Sequence, residues 1–130
     1  MLLSDKYPFL TEYFTRALST NVRALPQSIL FYGNDADAQF TFATEIARLL
    51  NCTSDKSDNC ECLNCRWIRE NSHPAVLTIS RIDNKPDDDD SKTVISIKQS
   101  QMIKEALVSA SEFHRVFIFC DRDENGNIAG

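Results

Sequence analysis

Apolar positions recur along the chain in two rhythms. From Leu3 to Ala24 they fall at Phe9, Leu10, Tyr13, Phe14, Ala17, Leu18 and Val22, the three-and-four spacing of one helix face. Pro8 stands where a first helical turn accepts a proline. Beyond Pro26, Ile29-Leu30-Phe31-Tyr32 is apolar throughout, which predicts a strand buried on both faces, as in a parallel sheet. Gln39–Leu50 returns to helical spacing through Phe42, Ala43, Ile46, Ala47, Leu49 and Leu50. Asn51–Cys65 has no periodicity and reads as a polar loop or small excursion. Trp67-Ile68-Arg69 predicts the start of a return helix that ends across Asn71–Pro74, because a residue before proline avoids helical backbone. Val76–Ile79, rich in β-branched residues, predicts a second strand, and Val116–Cys120 a third. Between them Ser96–Ser109 has helical spacing through Ile97, Met102, Ile103, Ala106 and Leu107. Asp83–Ser91, with Asp87–Asp90 consecutive, reads as a solvated loop, since nothing fixes those carboxylates in space.

Strand, helix, strand, helix, strand predicts an α/β fold, a parallel sheet with crossover helices. The 130 residues amount to one domain. The last strand runs into GNIAG with no closing helix, so the expectation is a partial domain over 1–130 with its excursion at about 51–66.

Charge and cysteine content narrow the function. The formal net charge is −5, so the chain as a whole is not built to hold nucleic acid directly, and DNA contact would belong to partners. No apolar run approaches the ~20 residues of a membrane span. MLLSDKYPF lacks a basic segment followed by an apolar one, so the expected compartment is the cytoplasm. Four of the five cysteines lie between Cys52 and Cys65, a clustering that favours metal over disulfides in that compartment.

The centre of the sequence is Ser28–Leu50. Its apolar run, Gly33, short acidic loop and helix have the layout of a phosphate-binding P-loop, in which backbone N–H groups and a lysine cradle phosphates and a hydroxyl holds Mg²⁺. Counted from Gly33, the second glycine falls on Ala38, the lysine on Gln39 and the hydroxyl on Phe40. Sliding by one brings Thr41 into the hydroxyl position but sets Phe40 where the lysine belongs. Asp35 and Asp37 add negative charge at the helix N-terminus, where a phosphate would otherwise be attracted.

The stretches SILFYG with its helix, ARLLNC, CLNCRWI, HPAVLTI, ISIKQSQMIKEAL and RVFIFCD together resemble the N-terminal ATPase-type domain of bacterial clamp-loader subunits of DNA polymerase III. The likeness is greatest to the delta-prime type, with gamma/tau second. It implies a P-loop NTPase-like (AAA+) fold and a place in the pentameric machine that opens the sliding clamp and sets it on primed DNA, with gamma/tau and delta as partner subunits. In that family delta-prime often has a degenerate phosphate loop and serves as a rigid stator, a pattern that Gln39 and Phe40 match. The expectation is therefore no ATP binding and no catalysis. ATP-hydrolysing relatives carry an Asp-Glu pair after the last strand; here the corresponding residues are Cys120-Asp121 or Asp121-Arg122. The family's arginine finger is expected beyond Gly130, and neither Arg115 nor Arg122 matches its setting. Alternatives are an active ATPase of the same architecture, which would need a lysine near Gln39, and a stand-alone zinc adaptor, which should close its own sheet.

Cys52, Cys60, Cys62 and Cys65, spaced C-x7-C-x-C-x2-C, are the candidate metal ligands. Four thiolates suit Zn²⁺ in a closed tetrahedral site that is structural rather than catalytic. Cys62–Cys65 is an ordinary zinc knuckle, whereas Cys60-Glu61-Cys62 departs from the family's C-x2-C by one residue. The bland alternative is a loop of reduced thiols. His73 is a possible substitute ligand, though His-Pro before a strand more often caps a turn. Of the residues between Cys52 and Cys65 only Leu63 could join a core, and Cys120 reads as a buried core residue.

Overall fold

The computed structural model describes residues 3–20, 25–84, 97–108, 111–123, 125, 127 and 128. Its elements in chain order are α1 (Pro8–Thr20), α2 (Ala36–Asn51), α3 (Leu63–Arg69), β1 (Val76–Ile79), α4 (Ile97–Val108) and β2 (Val116–Phe119). Pro8 opens α1, as its fixed φ and missing N–H allow. The stretch 85–96, with Asp87–Asp90, and residues 21–24 at the foreseen end of the first helix lie outside the described residues.

The two strands pair in parallel, Val76 opposite Val116 through Ile79 opposite Phe119. A parallel pair needs a crossover, and α4 lies on it. Gln99 of α4 is fully buried and donates from Nε2 to the carbonyls of Ser80 at 2.8 Å and Asp83 at 3.0 Å, which docks the helix to the end of β1.

α2 is the pivot of the core. Phe42, Ile46 and Leu49 meet Phe14 and Leu18 of α1, with Tyr7, Phe31 and Leu50 packed at the margin. Ala47 meets Ile68 of α3, Val76 of β1 and Ile118 of β2, flanked by Phe40, Ala43 and Val116. Every residue from Glu45 to Leu49 is buried, so the second half of α2 is enclosed almost all round. Asn51, at its end, reaches across to His114, two residues before β2. Its Oδ1 accepts from His114 N at 2.9 Å, and Nδ2 donates to His114 O at 3.0 Å and Ala47 O at 3.1 Å.

Ile29–Tyr32 forms no strand, contrary to its apolar pattern. A strand exists through its neighbours, and among the described residues the sheet is β1 and β2 alone. Leu30 and Tyr32 are 85 and 89 % exposed, while Phe31 turns in against Phe14 and Phe42. Three further readings change. The return helix starts at Leu63 rather than Trp67, because Cys62 already takes the N-cap. Leu63 itself is half exposed and joins no core, and Cys120 is only partly buried, since it lies just past the end of β2.

Candidate metal centre and the Gly33 loop

The four clustered cysteines converge. Their sulfurs lie within 4.8 Å of one another, although their residues come from the end of α2, the excursion and the start of α3. Cys52 caps the C-terminus of α2, Cys62 is the N-cap of α3 and Cys65 sits in that helix's first turn. The x2 spacing of the knuckle is thus one turn of helix, which sets both sulfurs on one side. Cys52 Sγ lies 3.6 Å from Cys60 Sγ and 3.9 Å from Cys62 Sγ. A tetrahedron with metal–sulfur bonds of ~2.3 Å has edges of about 3.8 Å, so the donor set fits a four-thiolate metal ion and is compatible with structural zinc. The one-residue gap between Cys60 and Cys62 is absorbed by an extended backbone at Cys62, with ψ 158°.

Burial pushes the Cys65 thiol up to about 12, against the pull of Arg48. Burial also acts on Cys62, but the backbone N–H groups of Thr53 and Cys65 outweigh it and bring that thiol down to about 6.

Two arginines that spacing did not single out clamp the excursion. Arg69 donates from Nη1 to Cys60 O and from Nη2 to Asp58 O, the latter at 2.7 Å. Arg48, 1 % exposed, is held by Glu45 through contacts of 2.9 to 3.2 Å, and its Nη1 donates to Ser57 O at 3.0 Å and Cys65 Sγ at 3.3 Å. The sequence signal was a charged pair at i, i+3 inside the otherwise apolar stripe of α2.

His73 is not among the converging ligands. Its Nδ1 accepts from Ala75 N at 3.0 Å, so its Nε2–H donates to Asn64 Oδ1 at 2.7 Å. This fixes one neutral tautomer, and burial lowers the imidazole's pKa further. The histidine caps the turn before β1 and, through Asn64, steadies the helix that carries Cys65.

At the other end of α2, the positions that the sequence aligned with a phosphate loop are filled with internal contacts. Gly33 has φ 130°, in the region that favours glycine, and Gln39 Nε2 approaches to 3.5 Å of where a Cβ would stand. Ala38 is buried, and Phe40 packs against the cluster around Ala47. The Thr41 hydroxyl donates to Asp37 O of its own helix at 2.9 Å. Asp35 caps α2, its Oδ1 accepting from Ala38 N at 3.3 Å. Its Oδ2 accepts from Tyr7 Oη and pairs with Lys6 Nζ at 2.7 Å. A carboxylate of the chain therefore occupies the helix N-terminus, with a lysine from outside the loop beside it.

Past the strands, Arg81 Nε meets Asp121 Oδ1 at 2.8 Å and Arg122 Nε meets Asp83 Oδ2 at 3.0 Å. The acids of this edge are thus tied crosswise to arginines of the opposite strand exit.

Among the described residues no helix is long and apolar enough to cross a membrane. No curated protein and no solved structure matches the chain. Residues 7–125 match the family model described as DNA polymerase III, delta subunit. That match spans nearly the whole chain, including α2, the cysteine cluster and both strands. The chain belongs to this family of DNA polymerase III delta subunits, and with it to the proteins of the clamp-loader and replication complex.

Proposed function

We propose that the chain is a non-catalytic, stator-type subunit of the clamp loader, of the delta-prime kind, working beside gamma/tau and delta subunits as the sliding clamp is loaded on primed DNA. The observation that carries this reading is Asp35. It puts a negative charge and a satisfied acceptor where a nucleotide's phosphate would need bare N–H groups, and no lysine follows it in the loop. The pairing of Asp121 with Arg81 supports the same view, since an acid that must hold Mg²⁺ is instead engaged by a cation. The contribution to the complex then lies in rigid surfaces rather than in chemistry.

In the same reading Cys52, Cys60, Cys62 and Cys65 hold one structural Zn²⁺, which supplies cross-linking of the excursion and leaves no open position for water. The deciding experiment is calorimetric titration of the chain with Mg-ATP, alongside co-purification with clamp-loader partners. No heat at micromolar nucleotide and recovery in the complex are expected. Mg²⁺-dependent micromolar binding would overturn the stator assignment.

A further inference from the structure

Resting on the metal reading above, we infer that Arg48 is an outer-sphere residue of the four-cysteine centre, whose N–H···S contact with Cys65 sets how tightly the metal is held. Four observations converge on it. Arg48 is buried, which a guanidinium tolerates only when its donors are engaged. Glu45, itself buried, grips the Nε and Nη2 edge, leaving the Nη1 edge to face the cysteines. Nη1 then touches both halves of the site at once, Cys65 Sγ in α3 and Ser57 O in the loop between Cys52 and Cys60. Asp58, on that same loop, lies 4.0 Å from Nη2.

The geometry has a chemical consequence. A tetrathiolate around a divalent ion has an excess of two negative charges. A hydrogen bond to one sulfur draws electron density from it and stabilises that charged assembly. It also orients the ligand before the metal arrives. Lysine could supply charge there but not the fork that binds Glu45 on one edge and Cys65 on the other. Glu45 acts one step further out, as the clamp that aims the guanidinium.

The test uses Co²⁺ as a spectroscopic probe in the full chain, followed by Zn²⁺ displacement to obtain relative affinity. Variants are Arg48→Met, Arg48→Lys and Glu45→Gln. Removing an outer-sphere partner typically weakens metal binding by about 10–100-fold, and that loss is expected for Arg48→Met. The sulfur-to-cobalt charge-transfer band should move to lower energy in Arg48→Met, while the pattern of a four-thiolate tetrahedral ion persists. Arg48→Lys should recover part of the affinity, and Glu45→Gln should shift the band in the same direction by less. A residue that only packs would lower the melting temperature and leave the band of the loaded protein where it was. Unchanged band and affinity in Arg48→Met overturn the inference. If that variant does not fold, the same null result in Glu45→Gln and Arg48→Lys overturns it equally. A wild-type chain that takes up neither Co²⁺ nor Zn²⁺ removes the metal reading itself and Arg48's role with it. Normal loading of wild type with unaltered variants removes Arg48's role alone.

Discussion

Lys6 Nζ lies 2.7 Å from Asp35 Oδ2, so a residue ahead of α1 closes on the cap of α2. Lys6, then Tyr7 and the Ala38 N–H, hold the Asp35 carboxyl at about 2, below its ordinary 3.8. A carboxyl lowered on folding contributes stability that is complete above its ordinary value and is lost as pH falls through the folded one. Asp35→Asn keeps a capping oxygen and removes the charge. Its urea midpoint should lie below that of wild type at neutral pH, and the gap should close between about pH 4 and pH 2. The gap will be modest, because the Lys6 end of the pair is exposed to solvent. A gap that stays constant down to pH 2 would show that Asp35 acts through its shape alone.

Restoring the missing lysine should not restore nucleotide binding. In Gln39→Lys the new ammonium would stand one turn from Asp35, which still fills the helix N-terminus, and Phe40 would still be committed to the core. A single charge-assisted hydrogen bond contributes about 1.5–3 kcal/mol, too little by itself for micromolar binding near 8 kcal/mol. Mg-ATP calorimetry on Gln39→Lys should remain flat. Tight binding there would mean that one residue separated this chain from its active relatives.

Cys65→Ser should empty the metal centre without unfolding the sheet. Ordering the 14 residues from Cys52 to Cys65 costs at least ~1 kcal/mol each in backbone entropy, and they bring little apolar surface of their own. A structural zinc, worth ~10–16 kcal/mol in small peptides, is of the size needed to offset that. Expected are loss of zinc by elemental analysis, faster protease cleavage between Thr53 and Asn59, and an unchanged core signature from β1 and β2. A wild-type chain free of metal yet resistant at that segment would assign the order to the Arg48 and Arg69 clamps instead.

Asn51→Ala tests the tie between α2 and β2. It removes one acceptor and one donor from a buried site and leaves the N–H and carbonyl of His114 to find other partners. Each unsatisfied buried group costs ~1–3 kcal/mol, so a loss of about 2 kcal/mol is expected in chemical unfolding. A loss under about 0.5 kcal/mol, the range of ordinary surface substitutions, would show that water replaces the side chain there.

The helices were legible because their apolar residues repeat at the period of the helix itself. α2 and α4 fall within a few residues of their predicted bounds. The strands divide more instructively. Val76–Ile79 and Val116–Phe119 pair with each other as their patterns suggest. Ile29–Tyr32, no less apolar, stays outside the sheet. Apolarity reports that a segment can be buried, and only a neighbour with free backbone groups makes it a strand.

For the candidate sites the division is similar. The sequence by itself determined the clustering of four thiols, the absence of a lysine between Gly33 and Leu50 and the helical turn that joins Cys62 to Cys65, since each depends on residue type and short spacing. Only the tertiary structure decided the rest. It brought Cys52 beside Cys60, set Lys6 on Asp35 across 29 positions, joined Arg81 to Asp121 across 40, and buried Arg48 facing sulfur. Those partners are chosen by how α2 packs between α1 and the sheet, and contacts of that range leave no periodic trace in the order of residues.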